Sequence, residues 1–97
     1  MIEGKTKSGF EYAIDERVLD DWQLVEAIAD TESGDASKAI RGMTNLVEFV
    51  IGDQADALKK HIADKNDGYI PKDAMLNTMI EIVNSSRELK NLQSSEG

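Results

Sequence analysis

Cysteine is absent from the 97 residues, so neither a disulfide framework nor a thiolate metal site can form. Histidine occurs once, at His61, and a single imidazole without thiolates excludes the usual zinc sites. No Ser/His/Asp grouping can be recognised from spacing, and His61, next to Lys60, is expected on the surface or at a helix cap. Basic residues are few: eleven Lys and Arg stand against nineteen Asp and Glu, for a net charge of -8. That balance argues against binding a phosphate backbone, whose affinity comes from cations displacing counterions. The carboxylates are spread along the chain rather than gathered in one block, so they read first as a solubilising surface. No apolar run approaches the about 18 residues of a membrane span. Met1-Ile2-Glu3-Gly4-Lys5 is not the start of a signal peptide, and the expectation is a soluble, unexported chain in the cytoplasm. Internal repeats, low-complexity blocks and glycine-rich phosphate loops are all missing: Gly42 falls inside a helical pattern and Gly52 ends one.

What is present is helical periodicity behind a short ribbon. Ile2 to Thr6 and Gly9 to Ile14 read as two strands around Lys7-Ser8-Gly9, with Phe10, Tyr12 and Ile14 alternating onto one face. An isolated hairpin is marginal in water, so that face must cover a helical body. Asp15 is a plausible N-cap for a helix over about 16–30, with Val18, Trp22, Val25 and Ala29 at helical spacing, Leu24 and Ile28 widening the stripe and Trp22 as a core anchor. Thr31 to Asp35 is a polar link in which Asp35 or Ser33 can cap a second helix over about 35–51. Its broad apolar face, Ala36, Ile40, Met43, Val47, Val50 and Ile51 with Leu46 and Phe49 beside it, suggests the central helix. Gly52 should end it, and Asp53 can cap a third helix over about 53–64 carrying Ala55, Leu58 and Ile62. Pro71, the only proline, marks a fourth helix over about 71–92, with Met75, Met79, Ile82, Val83 and Leu89 on its apolar side. Residues 93–97 should be disordered. The fold class is therefore α+β and mostly α: one domain over 1–92, an N-terminal two-stranded hairpin packed on a bundle of about four helices.

Asp64-Lys65-Asn66-Asp67-Gly68-Tyr69-Ile70-Pro71 resembles an EF-hand loop at first sight, but its register fails. With Gly68 at the invariant glycine position, the first, third and twelfth ligand positions fall on Ala63, Lys65 and Ala74, which cannot supply the oxygens. The segment reads instead as a turn in which Asn66 and Gly68 take left-handed conformations and Ile70 packs as a staple before Pro71. Carboxylate neighbours such as Asp20 and Asp21 point in different directions on a helix, so no general acid and base pair is nominated. No catalytic, cofactor or metal residue is assigned.

What remains is surface for proteins. Met43, Met75 and Met79 are flexible and polarizable, serving either as core filler or as a groove for apolar helices of varied sequence. Phe49 lies off the main stripe of its helix. Phe49, Met75 and Met79 are the candidate partner-binding residues.

The order of features is informative beyond its periodicity. A polar hairpin closes in Phe10-Glu11-Tyr12-Ala13-Ile14-Asp15; an acidic Leu19-Asp20-Asp21-Trp22-Gln23-Leu24 helix follows; a middle helix closes in Val50-Ile51-Gly52; a glycine-proline turn precedes Met75 to Ile82. Over nearly its whole length this order resembles the tail assembly chaperones of long, non-contractile-tailed phages and prophages of low-GC Gram-positive bacteria, in their short form. The resemblance implies a non-enzymatic protein, absent from the mature virion, that binds and solubilises the tape measure protein while tail tube subunits polymerise around it. It further implies a longer form, made by ribosomal frameshifting, that recruits the tail tube protein. Self-association of neighbouring copies would add avidity along one partner. Another acidic phage-encoded binding module, a structural head or tail component or a DNA-mimic inhibitor, is the alternative.

Overall fold

The computed structural model describes the backbone of residues 1–95. Two antiparallel strands, β1 (Ile2–Lys5) and β2 (Glu11–Ile14), lead through a 3-10 turn (Glu16–Asp20) into α1 (Trp22–Thr31), α2 (Ala36–Val50), a second 3-10 turn (Gly52–Gln54), α3 (Ala55–Asp64) and α4 (Lys72–Ser95). The α+β, mostly helical class and the N-terminal hairpin follow the sequence reading.

Hairpin register comes from the turn. Gly9 N–H donates to Thr6 O (2.9 Å) with Gly9 at φ +100°, and Thr6 N–H donates to Phe10 O (2.8 Å). This is a tight turn closed by a left-handed glycine, and it pairs Ile2 with Ile14, Glu3 with Ala13, Gly4 with Tyr12 and Lys5 with Glu11. Ile2, Phe10, Tyr12 and Ile14 are buried, while Glu3, Lys5 and Glu11 face solvent. The Tyr12 ring lies where a side chain on Gly4 would be, so glycine is required opposite it. Ala13 directs its N–H and C=O away from β1: its N–H donates to Gln54 Oε1 (2.9 Å) and its C=O accepts from Gln54 Nε2 (2.7 Å). One glutamine side chain thereby stands in for a third strand along the outer edge of β2.

The first helix is shorter than the pattern suggests. Asp15 does act as a cap, its carboxylate accepting from Arg17 N–H (3.0 Å), but it opens only a 3-10 turn. Hydrogen bonds from the Arg17 side chain hold the exposed Asp15 carboxyl down at about 2. Asp21 then takes an extended conformation (φ -85°, ψ 136°) and caps α1 by accepting from Gln23 N–H (2.8 Å). The 3-10 turn advances about 120° per residue and Asp21 breaks it, so Val18 is not in phase with Trp22. The inward face of α1 is Leu24 and Ala27 with Ile28 beside them, and Trp22, expected as a core anchor, is 69% exposed.

α1 and α2 form the tightest helix pair. A Cβ on Gly42 would come within 2.6 Å of Thr31 N and 2.7 Å of Asp30 Cβ. Of the two candidate caps in the link, Asp35 caps α2, accepting from Lys38 N–H (3.1 Å), and Ser33 Oγ accepts from Asp35 N–H (3.0 Å). Gly52, at φ +46°, ends α2 as expected. Asp53 sits inside the second 3-10 turn rather than capping α3, whose N-cap position is Gln54.

The organising helix is α4, not α2: it meets β1, the first 3-10 turn, α2 and α3, whereas α2 serves chiefly as the partner of α1. Ile40, assigned to the apolar face of α2, is 60% exposed. α4 buries Met79, Ile82 and Val83. At the hairpin tip Lys7 N–H donates to Glu81 (2.7 Å), and Lys90 pairs with Asp20 of the 3-10 turn. α4 continues to Ser95, past the expected end at 92, because no Gly or Pro interrupts Gln93-Ser94-Ser95; residues 96 and 97 of the expected disordered tail lie outside the described residues.

Ser86 is fully buried on α4 and its hydroxyl has no hydrogen-bond partner among the described residues. An unsatisfied buried hydroxyl costs about 1–3 kcal/mol, and alanine is also the better helix former. Ser86→Ala is therefore expected to stabilise the fold by about 1 kcal/mol and to raise the melting temperature by about 4–8 °C. Thermal unfolding followed by circular dichroism checks this, and an unchanged or lower midpoint would mean the hydroxyl is satisfied in solution.

Candidate interaction surface

α1 carries apolar residues on too much of its circumference for one buried face. Leu24 and Ala27 go inward, while Trp22, Val25 (47% exposed) and Ala29 lie on the outer side at intervals of three and four residues. Val25 is one turn from Ile28, which forms one wall of a groove of about 250 Å³ running onto α4, with Leu76, Ile80 and Val83 across from it. Ile80 is 45% exposed at its lip, and Glu32, Asn84 and Arg87 supply the polar rim. The groove is narrower than most small-molecule sites and continuous with an exposed helix face, a shape suited to side chains of another helix.

The residues nominated from sequence are not brought together. Met79 is 1% exposed and belongs to the core, so as an outward-facing contact it is corrected. The reason is phase: Met79 shares the inner arc of α4 with Ile82, Val83 and Ser86, and Ile80 is the residue turned outward. Met75 is half-buried against the core. Phe49 is also half-buried, and it floors a separate, more open groove between α1 and α2 edged by Glu26, Asp30 and Glu48. Trp22, Val25 and Ile80 were missed as surface residues, yet the sequence held a signal for them. Trp22, Leu24, Val25, Ala27, Ile28 and Ala29 within one ten-residue helix exceed a single apolar stripe.

His61 is neither an isolated surface residue nor a helix cap. Its Nε2 lies 3.0 Å from Ser8 Oγ, and its ring is 5.6 Å from that of Phe10 at 52°, so it joins α3 to the hairpin. No carboxylate is bonded to its other nitrogen among the described residues, and the Ser8–His61 pair is exposed rather than set in a cleft. In the loop that resembled an EF-hand, the left-handed residues are Asp67 (φ 55°) and Gly68 (φ 92°). Asn66 instead donates from Nδ2 to Ile62 O (2.8 Å), satisfying a carbonyl at the end of α3. Ile70 does not act as a staple: it is exposed, as is Tyr69. Among the described residues no group of three or more His, Cys, Asp or Glu side chains is arranged to hold a metal ion, and no helix is long and apolar enough to cross a membrane.

No family model matches the chain, and no curated protein or solved structure matches it.

Proposed function

We propose that this chain is a non-catalytic tail assembly chaperone that binds the tape measure protein of a long-tailed phage and keeps it soluble until tail tube subunits surround it. The observation that carries the reading is the unpartnered apolar face formed by Trp22, Val25 and Ile28 and continued to Ile80, on a chain of net charge -8. A tape measure protein exposes long apolar helical stripes before it is enclosed. Such a stripe fits along α1 with an apolar side chain in the Ile28–Ile80 groove and Trp22 as the anchoring contact. The carboxylates then face water and keep the coated filament soluble. Each contact is small and individually weak, and many copies along one partner supply avidity while allowing tube subunits to displace them one at a time. The site of action is the host cytoplasm, and the protein leaves before the virion is complete. The tail tube protein would be reached through an extension of the chain.

A second reading, an acidic module for a basic protein, draws on the Glu26, Asp30 and Glu48 groove around Phe49. Co-expression with the long helical protein encoded downstream separates the two. The wild type and Tyr69→Glu, an exposed change elsewhere, are expected to keep that protein soluble and to co-purify with it, while Trp22→Glu loses it without unfolding. Insolubility with the wild type, or full protection by Trp22→Glu, would overturn the chaperone reading. Capture that survives Trp22→Glu but vanishes in high salt would favour the basic partner.

A further inference from the structure

The two edges of the hairpin differ: among the described residues the outward backbone groups of Ala13 on β2 are taken, leaving those of Glu11 alone, whereas on β1 those of both Glu3 and Lys5 are left. Gln54 occupies Ala13 on β2, which fixes the phase of the ladder: the Glu3–Ala13 pair does not exchange hydrogen bonds, and neither does Lys5–Glu11 two residues on. Glu3 and Lys5 of β1 therefore point their N–H and C=O groups away from β2, where no hydrogen-bond partner is found for them among the described residues. Both residues are exposed, and Gly4 between them is partly so.

We infer that β1 is a self-pairing edge, which takes β1 of a second copy of this chain to form a four-stranded antiparallel sheet centred on Gly4. Two features of the strand select this occupant. The first is phase: a two-fold axis through Gly4 places Glu3 opposite Lys5 of the second copy, and these are the residues whose N–H and C=O groups point outward, so both ends of the ladder exchange hydrogen bonds. The second is charge: the same axis sets the Glu3 carboxylate across from the Lys5 ammonium twice on the solvent face, and opposite charges directly across a ladder attract where like charges repel. At the centre, Gly4 faces Gly4, and no side chain obstructs the approach. A register shifted by one residue breaks the hydrogen-bond phase, and a shift by two breaks the charge match.

The contact is short, well below the roughly 1,000 Å² of a stable interface, and two chains of net charge -8 repel, so the dimer should form only at high protein concentration. It is independent of the tape measure reading, because neither Trp22 nor the Ile28–Ile80 groove takes part.

Sedimentation equilibrium over a concentration series tests it. The mass of the wild type is expected to rise from 10.7 kDa towards twice that value. Glu3→Lys alone and Lys5→Glu alone each set like charges opposite one another and should remain monomeric, with circular dichroism confirming the fold. Mixed in equal amounts, they should restore the dimer, because every position again meets its opposite. Glu3→Pro, which removes an outward N–H but no bond to β2, should also be monomeric. A wild type that stays monomeric throughout would overturn the proposal. So would single charge variants that dimerise as the wild type does, or a mixture that does not dimerise; pairing of β1 with a strand of a different protein is the occupant such results would leave.

Discussion

Gly42→Ala is expected to destabilise the fold by about 2 kcal/mol, although the same change in an isolated helix would stabilise it by about 1 kcal/mol. The sign is decided by what the new methyl group meets. Thr31 N at 2.6 Å and the Asp30 carbonyl carbon at 2.8 Å are backbone atoms, which no rotamer change can move aside. α1 and α2 would have to separate along their crossing, loosening the packing of the buried Ala27 and Leu46 with them. A domain of this length has roughly 5–15 kcal/mol in total, so the loss is a large fraction. Urea unfolding of the variant should show a lower midpoint with an unchanged slope. An unchanged midpoint would mean that the two helices are not closely apposed in solution.

Met79→Ala and Trp22→Ala should separate stability from capture. Met79 is 1% exposed, and truncating a fully buried methionine typically costs about 2–5 kcal/mol through lost burial and the cavity left behind. Trp22 is 69% exposed at the start of α1, and its removal should change stability by about 0.5 kcal/mol or less. The proposed contact is read the other way: Trp22→Ala should lose the partner while keeping its unfolding midpoint, and Met79→Ala, where folded, should still bind. If Trp22→Ala melted the fold, the aromatic ring would be packing inward, as the sequence alone suggests, and the binding face would have to be sought elsewhere.

Elements with a local chemical signature were legible in the sequence. Phe10, Tyr12 and Ile14 alternate, Gly9 supplies the turn, Asp35 caps and Gly52 stops, and each is decided by residues within a few positions. The phase of α1 was not legible, because it depends on whether Glu16 to Asp20 coils as an α-helix or as a 3-10 turn; that choice moved Trp22 from core to surface. The role of Gly42 was hidden for a related reason. A helical glycine looks like a weak position until a neighbouring helix is placed against it. His61 gave no sign of its neighbours, since Ser8 and Phe10 reach it only through the fold. Of the residues nominated for partner contact, Met79 failed by a single step along α4, where Ile80 is the one turned outward.

A protein with a free strand edge runs the risk that sheets extend without limit, one molecule adding to the next until a fibre results. The Gln54 carboxamide removes that risk at small expense. By filling both positions on Ala13 it leaves only Glu11 with outward groups on β2, a run too short to seat a further strand, so a sheet begun at β1 would have two ends that resist growth. An assembly of that kind would be finite by construction, its size set by a glutamine far from any recognised motif.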